Sequence, residues 1–259
     1  MERIKVLELK SKDKKGKIKN AGKLEIRNQT EDKADLYLYG DIVSSEWGKW
    51  ENTDVAPEDV KNFLDEIKDV NNLNIYVNSG GGSVFAGMAI YNMLKRHKAY
   101  KTVHVDGLAG SISSVIAMVG DKIIIPSNAY LMIHKAWSFT WGNADELRKF
   151  AATLDVIDKG ILNVYAENMK EGVDIEDIQQ MVADETWLTG QEAEKYFSIE
   201  VSQANEAVAC TSDYFNRYKK VPKTLKEDSF KTQNPNSKIV NENREIEKSK
   251  ALLLLELEL

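Results

Sequence analysis

The order of strand, turn and helix is clearest in residues 73–97, LNIYVNSGGGSVFAGMAIYNMLKRH. The apolar run LNIYV predicts a strand over 73–77, and the three glycines after it predict a tight turn over 78–83. The sequence after the turn predicts a helix from Val84 to about His97. A strand followed by a helix is the repeating unit of an α/β fold with a largely parallel sheet.

The same alternation continues on both sides of this stretch. Periodicity and apolar runs predict further strands over 35–43, 101–105, 122–125 and 130–134. Helices are predicted to begin at Pro57, over 110–120, over 144–170 as one long helix, and after caps at Asp174 and Thr189. Because functional loops of parallel sheets gather at the carboxyl ends of strands, we expect the glycine turn, Ser111 and His134 to lie together.

Composition limits the class of protein. The chain has 259 residues, of which 42% are hydrophobic, a net charge of −6 and one cysteine, Cys210. This favours a soluble cytoplasmic protein without an intramolecular disulfide, and the acidic balance gives no support for nucleic-acid binding. No apolar run suits a signal peptide or a membrane span, so no membrane association is expected.

Three zones are predicted from the pattern of charge and periodicity. Residues 1–33 form a basic N-terminal arm, and residues 34–202 form the folded domain. Residues 203–259 are polar and predicted to be disordered; their final LLLLELEL is either an assembly or targeting segment or a marginal helix.

Three histidines offer a general base. His97 ends a helix among basic residues, and His104 lies inside a predicted strand. His134 ends an apolar strand and precedes a loop rich in aromatic residues. His134 is therefore the favoured base, although a lone histidine at a strand end can also be structural.

Ser111 is the favoured nucleophile because it lies between a predicted strand and a predicted helix. There its hydroxyl could react while nearby backbone amides stabilise an oxyanion, or it could simply cap the helix. Ser113 and Ser114 are rivals by spacing alone, since AGSIS over 109–113 matches the G-x-S-x-G elbow imperfectly. The glycine turn over 78–83 fits neither common phosphate-binding motif, so it is either an oxyanion loop or a permissive turn.

Together, three segments resemble the ClpP peptidase family, and within it the head-maturation (prohead) proteases of bacteriophages. The segments are NSGGGSVFAGMAIYNML (78–94), GLAGSISSVIAMVGDKIIIPSNAYLMIH (107–134) and ETWLTGQEAEKYF (185–197). The resemblance implies a ClpP/crotonase fold with a long handle helix. It also implies a serine endopeptidase with Ser111 as nucleophile, His134 as base and Glu185 as acid.

The resemblance further places the oxyanion-hole amides at Gly82 and Ile112. Gly80 replaces the family's usual proline, and Glu185 stands where an aspartate is common, so the adjacent Asp184 stays open as the acid. No metal or organic cofactor is implied.

The implied partners are peptide or protein substrates, in particular phage capsid or scaffold proteins cut in the procapsid or host cytoplasm, and further copies of the chain in a ring. Cleavage would be ATP-independent or assisted by a Clp ATPase. Two alternatives share the fold: a catalytically silent assembly component and a crotonase-like acyl-CoA enzyme.

Overall fold

The structure, a computed structural model, describes residues 3–12, 18–29, 32–49, 54–204, 212, 215 and 217–222. The strands are β1 (Arg3–Lys12), β2 (Ile18–Gln29), β3 (Lys33–Tyr39), β4 (Asn72–Ser79), β5 (Tyr100–Gly110), β6 (Lys122–Pro126), β7 (Tyr130–Ile133), β8 (Thr186–Thr189) and β9 (Glu200–Ser202). The helices are α1 (Pro57–Glu66), α2 (Val84–Arg96), α3 (Ile112–Ala117), α4 (Ala144–Glu167), α5 (Ile175–Ala183) and α6 (Gly190–Ala193).

The strands build one sheet in which the central pairs are parallel. Its order is β1-β2-β3-β4-β5-β6-β9, and β7 pairs with β5 and with β8. Pairing is parallel from β3 through β9 along this path and between β5 and β7, whereas β1–β2, β2–β3 and β7–β8 are antiparallel. The predicted α/β fold with a largely parallel sheet and a long helix is confirmed.

The core runs across the sheet in registered rows. Leu36, Ile75, Val103 and Ile123 lie opposite one another on successive strands and are almost fully buried. Burying each such side chain stabilises the fold by about 1.5–3 kcal/mol relative to exposure. This packing fixes the strands whose carboxyl ends carry the candidate site.

Helix caps form where the sequence predicts them. The Asn143 side chain accepts hydrogen bonds from the amides of Asp145 and Glu146 at the start of α4, and the Glu146 carboxylate accepts one from the Asn143 amide. Asp174 and Thr189 cap α5 and α6 through their side chains. The long helix predicted over 144–170 therefore begins as expected and ends at Glu167.

Some predicted boundaries differ from the structure. β3 ends at Tyr39 rather than near residue 43, because Gly40 has a φ of 94° and turns the chain. β5 extends to Gly110 because its end pairs with β7. The helix predicted over 110–120 therefore begins only at Ile112. Strand β8 was not predicted.

The structure describes parts of the two outer zones. The predicted N-terminal arm contains β1 and β2. The chain divides into one unit over Met1–Val221 and another over Pro222–Leu259. The first unit thus extends beyond the predicted boundary at residue 202. Most of the predicted tail, including the terminal LLLLELEL, lies outside the described residues.

None of the helices in the described residues combines the length and the hydrophobicity that a membrane span requires.

Candidate active site

Ser111 lies at the junction of β5 and α3, where the backbone turns sharply. Its φ of 54° and ψ of −127° are values that residues other than glycine rarely adopt. Such a conformation costs about 1–3 kcal/mol and is typical of functional sites, where the surrounding structure holds it. The Ser111 side chain makes no capping hydrogen bond to α3, so its hydroxyl does not serve as a helix cap.

The pairing of β5 with β7 brings His134 to this serine. Gly110 lies opposite Met132 in a parallel register, so the residues that follow the two strands leave the sheet side by side. His134 Nε2 lies 2.7 Å from Ser111 Oγ, a hydrogen-bond distance. A histidine bonded in this way to a serine hydroxyl can activate it as a nucleophile.

The surroundings of His134 suit a base. Burial lowers the pKa of His134 below its ordinary value of 6.5, and the negative charge of Glu185 raises that pKa by a smaller amount. The neutral imidazole is therefore the main form at pH 7, and a neutral ring can accept a proton from a hydroxyl.

The two rival serines are engaged elsewhere. Ser113 Oγ lies 2.8 Å from the carbonyl oxygens of both Ser79 and Gly110, to which it can donate. Ser114 Oγ donates to the carbonyl of Ser111 and lies 2.7 Å from the hydroxyl of the buried Tyr165. Both side chains thus hold backbone and core together around the junction, and neither contacts His134.

The other two histidines lie outside this site. His104 stacks on Tyr76, with ring centroids 4.9 Å apart, and the Nδ1 atom of His97 accepts a hydrogen bond from the Ala99 amide. In the part of the chain that the structure describes, no group of three or more histidine, cysteine, aspartate or glutamate residues is arranged to hold a metal ion.

Glu185 lies close enough to His134 to influence its pKa, yet its carboxylate is bonded to another segment. Oε2 accepts a hydrogen bond from the Lys219 amide at 3.0 Å, and Oε1 accepts one from the Lys220 amide at 2.6 Å. Among the described residues His134 is not a donor to this carboxylate. The adjacent Asp184 is exposed and accepts a hydrogen bond from Gln180, so only Glu185 faces inwards.

Glu185 shares a backbone feature with Ser111. Its φ is 52°, and in the described residues these two are the non-glycine positions with positive φ. Glu185 is also 9% exposed, which is unusual for a carboxylate unless it is hydrogen-bonded. Residues with unfavourable backbone dihedrals cluster at functional sites, and these two are the residue bonded to His134 and the carboxylate that influences its pKa.

The glycine turn lies directly against Ser111. Gly81 and Gly82 have φ values of 106° and 145°, which favour glycine. A Cβ atom at Gly82 would lie 2.0 Å from the carbonyl oxygen of Ile42. The turn therefore needs glycine on both conformational and steric grounds, and its backbone can approach a bound molecule closely.

A small cleft opens beside the Ser111–His134 pair. Its other walls are mostly apolar and are formed by Val84, Ile112, Val115, Ala136, Ile161 and Tyr165. Of these, only Ile112 was predicted as a site residue. The lack of a side chain at Gly87 leaves room for Ile112, because a Cβ atom at Gly87 would lie 2.2 Å from the Ile112 side chain. The surface next to the Ser111 hydroxyl is therefore largely apolar.

A residue beyond 203, Tyr218, also reaches the site and is not predicted from the sequence. The Tyr218 ring lies edge-on to His134, with centroids 5.2 Å apart. Tyr218 lies in the polar zone over 203–259, for which the sequence predicts disorder.

Comparison with known proteins identifies relatives of this chain. Residues 53–200 match the family model of Clp protease. Relatives described as the proteolytic subunit of ATP-dependent Clp protease include those of Bacteroides fragilis, 27% identical, Ligilactobacillus salivarius, 32% identical, and Streptococcus pneumoniae, 32% identical. These matches cover 53%, 56% and 56% of this chain and 67%, 73% and 76% of the respective relatives.

Proposed function

Since the chain belongs to the Clp protease family, we propose that it is a serine endopeptidase with Ser111 as its nucleophile. The observation that carries this proposal is the 2.7 Å contact between His134 Nε2 and the hydroxyl of a serine held at positive φ. The same pair favours a peptidase over a crotonase-like acyl-CoA enzyme, which has no need of a serine and histidine in contact.

In the proposed reaction, His134 Nε2 takes the proton of Ser111 as Oγ attacks a peptide carbonyl carbon. The C–N bond of the tetrahedral intermediate then breaks, and His134 gives the proton to the leaving amine. A water molecule, deprotonated by His134, hydrolyses the acyl-enzyme and restores the serine. No cofactor takes part in these steps.

The oxyanion of each tetrahedral intermediate would be held by the amides of Gly82 and Ile112. Ile112 is the first residue of α3, so its N–H has no acceptor within the helix. Gly82 belongs to the turn that packs against Ser111 through Gly81. A preorganised donor of this kind contributes about 3 kcal/mol to the transition state.

Glu185 is the proposed acid, acting on the imidazolium that forms during attack. Its charge already favours protonated His134. A hydrogen bond from His134 Nδ1 to this carboxylate would fix the tautomer that leaves Nε2 free to accept the serine proton.

We further propose that several copies associate through the region of α4. Large apolar side chains are exposed on and before this helix, namely Phe139 (87%), Trp141 (72%) and Val156 (65%). A second copy of the chain would cover them, as expected for a ring-forming peptidase. Light scattering should give a mass of several chains, and a stable monomer at high concentration would exclude the assembly.

The proposed setting is the processing of phage capsid or scaffold proteins. It rests on the resemblance to head-maturation proteases, which often have a glutamate where Glu185 stands. Wild-type protein and Ser111→Ala are incubated with candidate capsid proteins and with an unstructured protein, and products are identified by intact mass. Cleavage of both substrates that depends on Ser111 supports a peptidase; selective cleavage of the capsid protein supports the setting.

A further inference from the structure

Part of the chain's C-terminal region packs over the candidate active site. We name the described residues Ser212, Phe215 and 217–221 the C-terminal strap. Phe215, Tyr218 and Val221 are 5%, 4% and 8% exposed, so apolar side chains of the strap are buried against the rest of the molecule. Burial of this extent indicates a docked segment.

The strap holds the glycine turn. The Tyr218 hydroxyl donates a hydrogen bond of 2.5 Å to the carbonyl oxygen of Gly80. Ser212 lies above the same glycine, since a Cβ atom at Gly80 would be 2.3 Å from Ser212 Oγ, and it donates to Asp41 at 2.6 Å. The backbone group that Tyr218 occupies lies two residues before Gly82, the proposed oxyanion donor.

The strap also contacts the proposed catalytic residues. The Tyr218 ring packs edge-on against His134 at 5.2 Å and against Trp187 at 6.1 Å. The next two amides, of Lys219 and Lys220, occupy both carboxylate oxygens of Glu185. One short segment therefore engages the base and the acid together.

The strap also contacts the loop that follows His134. The Arg217 guanidinium lies 5.1 Å from the centre of the Trp137 ring, in the loop that follows His134. An extended substrate would have to pass between this loop and the glycine turn to present its carbonyl to Ser111. The strap contacts this loop through Arg217 and the glycine turn through Tyr218. Strap and substrate would therefore compete for the same space.

From these contacts we propose that the C-terminal strap is an intramolecular inhibitor that keeps the peptidase latent until the strap leaves. The proposal rests on the proposed function of Ser111 and His134. Release would act twice: it would open the path for substrate, and it would free the Glu185 carboxylate to accept a hydrogen bond from His134 Nδ1. Latency of this kind suits a protease that must not cut before its substrate is assembled.

The alternative is that the strap completes the site by positioning Glu185, and the two roles predict opposite effects. Full-length wild type, Tyr218→Ala and Tyr218→Phe are compared by the rate at which a fluorophosphonate labels Ser111 and by kcat/KM on an unstructured peptide. Tyr100→Ala is the matched control, because Tyr100 is an exposed tyrosine at the start of β5, 52% exposed.

An inhibitory strap predicts at least tenfold faster labelling and higher kcat/KM in Tyr218→Ala, a smaller gain in Tyr218→Phe and no change in Tyr100→Ala. Tyr218→Phe keeps the ring against His134 and loses the bond to Gly80, which explains its smaller gain. Unchanged or slower labelling in Tyr218→Ala would overturn the proposal, and slower labelling would assign the strap a positioning role.

A binding measurement separates this proposal from the proposed catalysis. A fluorescent peptide of residues 212–222, SDYFNRYKKVP, should bind Tyr218→Ala protein at least tenfold more tightly than wild type, whose cleft holds its own strap. The same peptide with alanine in place of the tyrosine at 218 should not bind. Equal affinity for both proteins, or no binding, would overturn the strap proposal. Binding as expected without any Ser111-dependent labelling would instead overturn the proposed function alone.

Discussion

A Cβ atom at Gly81 would lie 2.6 Å from the Cβ atom of Ser111 and 2.7 Å from the carbonyl oxygen of Gly110. The glycine turn and the serine junction are therefore packed backbone to backbone, with no room for a side chain between them. This contact fixes the distance from the proposed nucleophile to the proposed oxyanion donor at Gly82.

The first prediction is that Gly81→Ala abolishes fluorophosphonate labelling of Ser111. The φ of 106° disfavours alanine, and the added methyl group must displace either the turn or the serine. Gly172→Ala is the control, because Gly172 also has positive φ, 86°, but nothing lies within 4 Å of its added Cβ. Gly172→Ala should cost about 1–2 kcal/mol of stability and leave labelling intact.

Equal labelling of the Gly81→Ala protein and wild type would show that the turn does not set the position of Ser111. Thermal unfolding of both glycine variants distinguishes a displaced site from an unfolded chain. Labelling lost in both variants would point to general destabilisation.

The second prediction concerns the rival serine. Ser113→Ala should remain reactive at Ser111 but lose about 1–2 kcal/mol of unfolding free energy, because Ser113 Oγ bonds the carbonyls of Ser79 and Gly110. Denaturant titration measures the stability, and a probe followed by mass spectrometry measures the labelling. Loss of labelling in a folded Ser113→Ala protein would argue against Ser111.

The third prediction is the pH dependence of kcat/KM. Catalysis needs neutral His134, so kcat/KM falls as the pH drops through the pKa of this residue. Because burial lowers that pKa, the midpoint of the acid limb should lie below pH 6.5. A midpoint well above 6.5 would mean that another group controls the acid limb.

The fourth prediction uses the two adjacent carboxylates. In the Tyr218→Ala background, in which the strap is expected to be released, Glu185→Gln removes the charge that raises the pKa of His134. The acid limb should therefore move to lower pH while kcat falls by up to about 10⁴. Asp184→Asn in the same background is the control: Asp184 is exposed and bonded to Gln180, so both quantities should stay close to those of Tyr218→Ala. A loss of kcat in Asp184→Asn but not in Glu185→Gln would make Asp184 the acid. An unchanged kcat in both variants would leave a catalytic dyad of Ser111 and His134.

Much of the fold is predictable from the sequence because its signals are local. Apolar alternation sets the central strands, and the cap residues Asn143, Asp174 and Thr189 set three helix starts that the structure confirms. The boundary of β5 was missed because it depends on pairing with β7, which lies about twenty residues later in the chain. Pairing of this kind leaves little trace in local periodicity.

The candidate site is likewise predictable from the sequence only in part. Ser111 and His134 follow strands whose carboxyl ends must meet in a parallel sheet, so their contact was expected. Local pattern says nothing of the partners of Glu185, because the Lys219 and Lys220 amides come from a polar segment 34 and 35 residues later. The edge-on contact between Tyr218 and His134 is likewise visible only in the tertiary structure.

The central claim is that His134 activates Ser111 as a nucleophile, and the site of a fluorophosphonate adduct tests it most directly. Wild type, Tyr218→Ala, Ser111→Ala and His134→Ala are treated with the probe, digested and mapped by mass spectrometry. The adduct should lie on Ser111 in the first two proteins, be absent from Ser111→Ala, and form about 10²–10⁴ times more slowly in His134→Ala. An adduct on Ser113 or Ser114, or undiminished labelling of Ser111→Ala, would contradict the account.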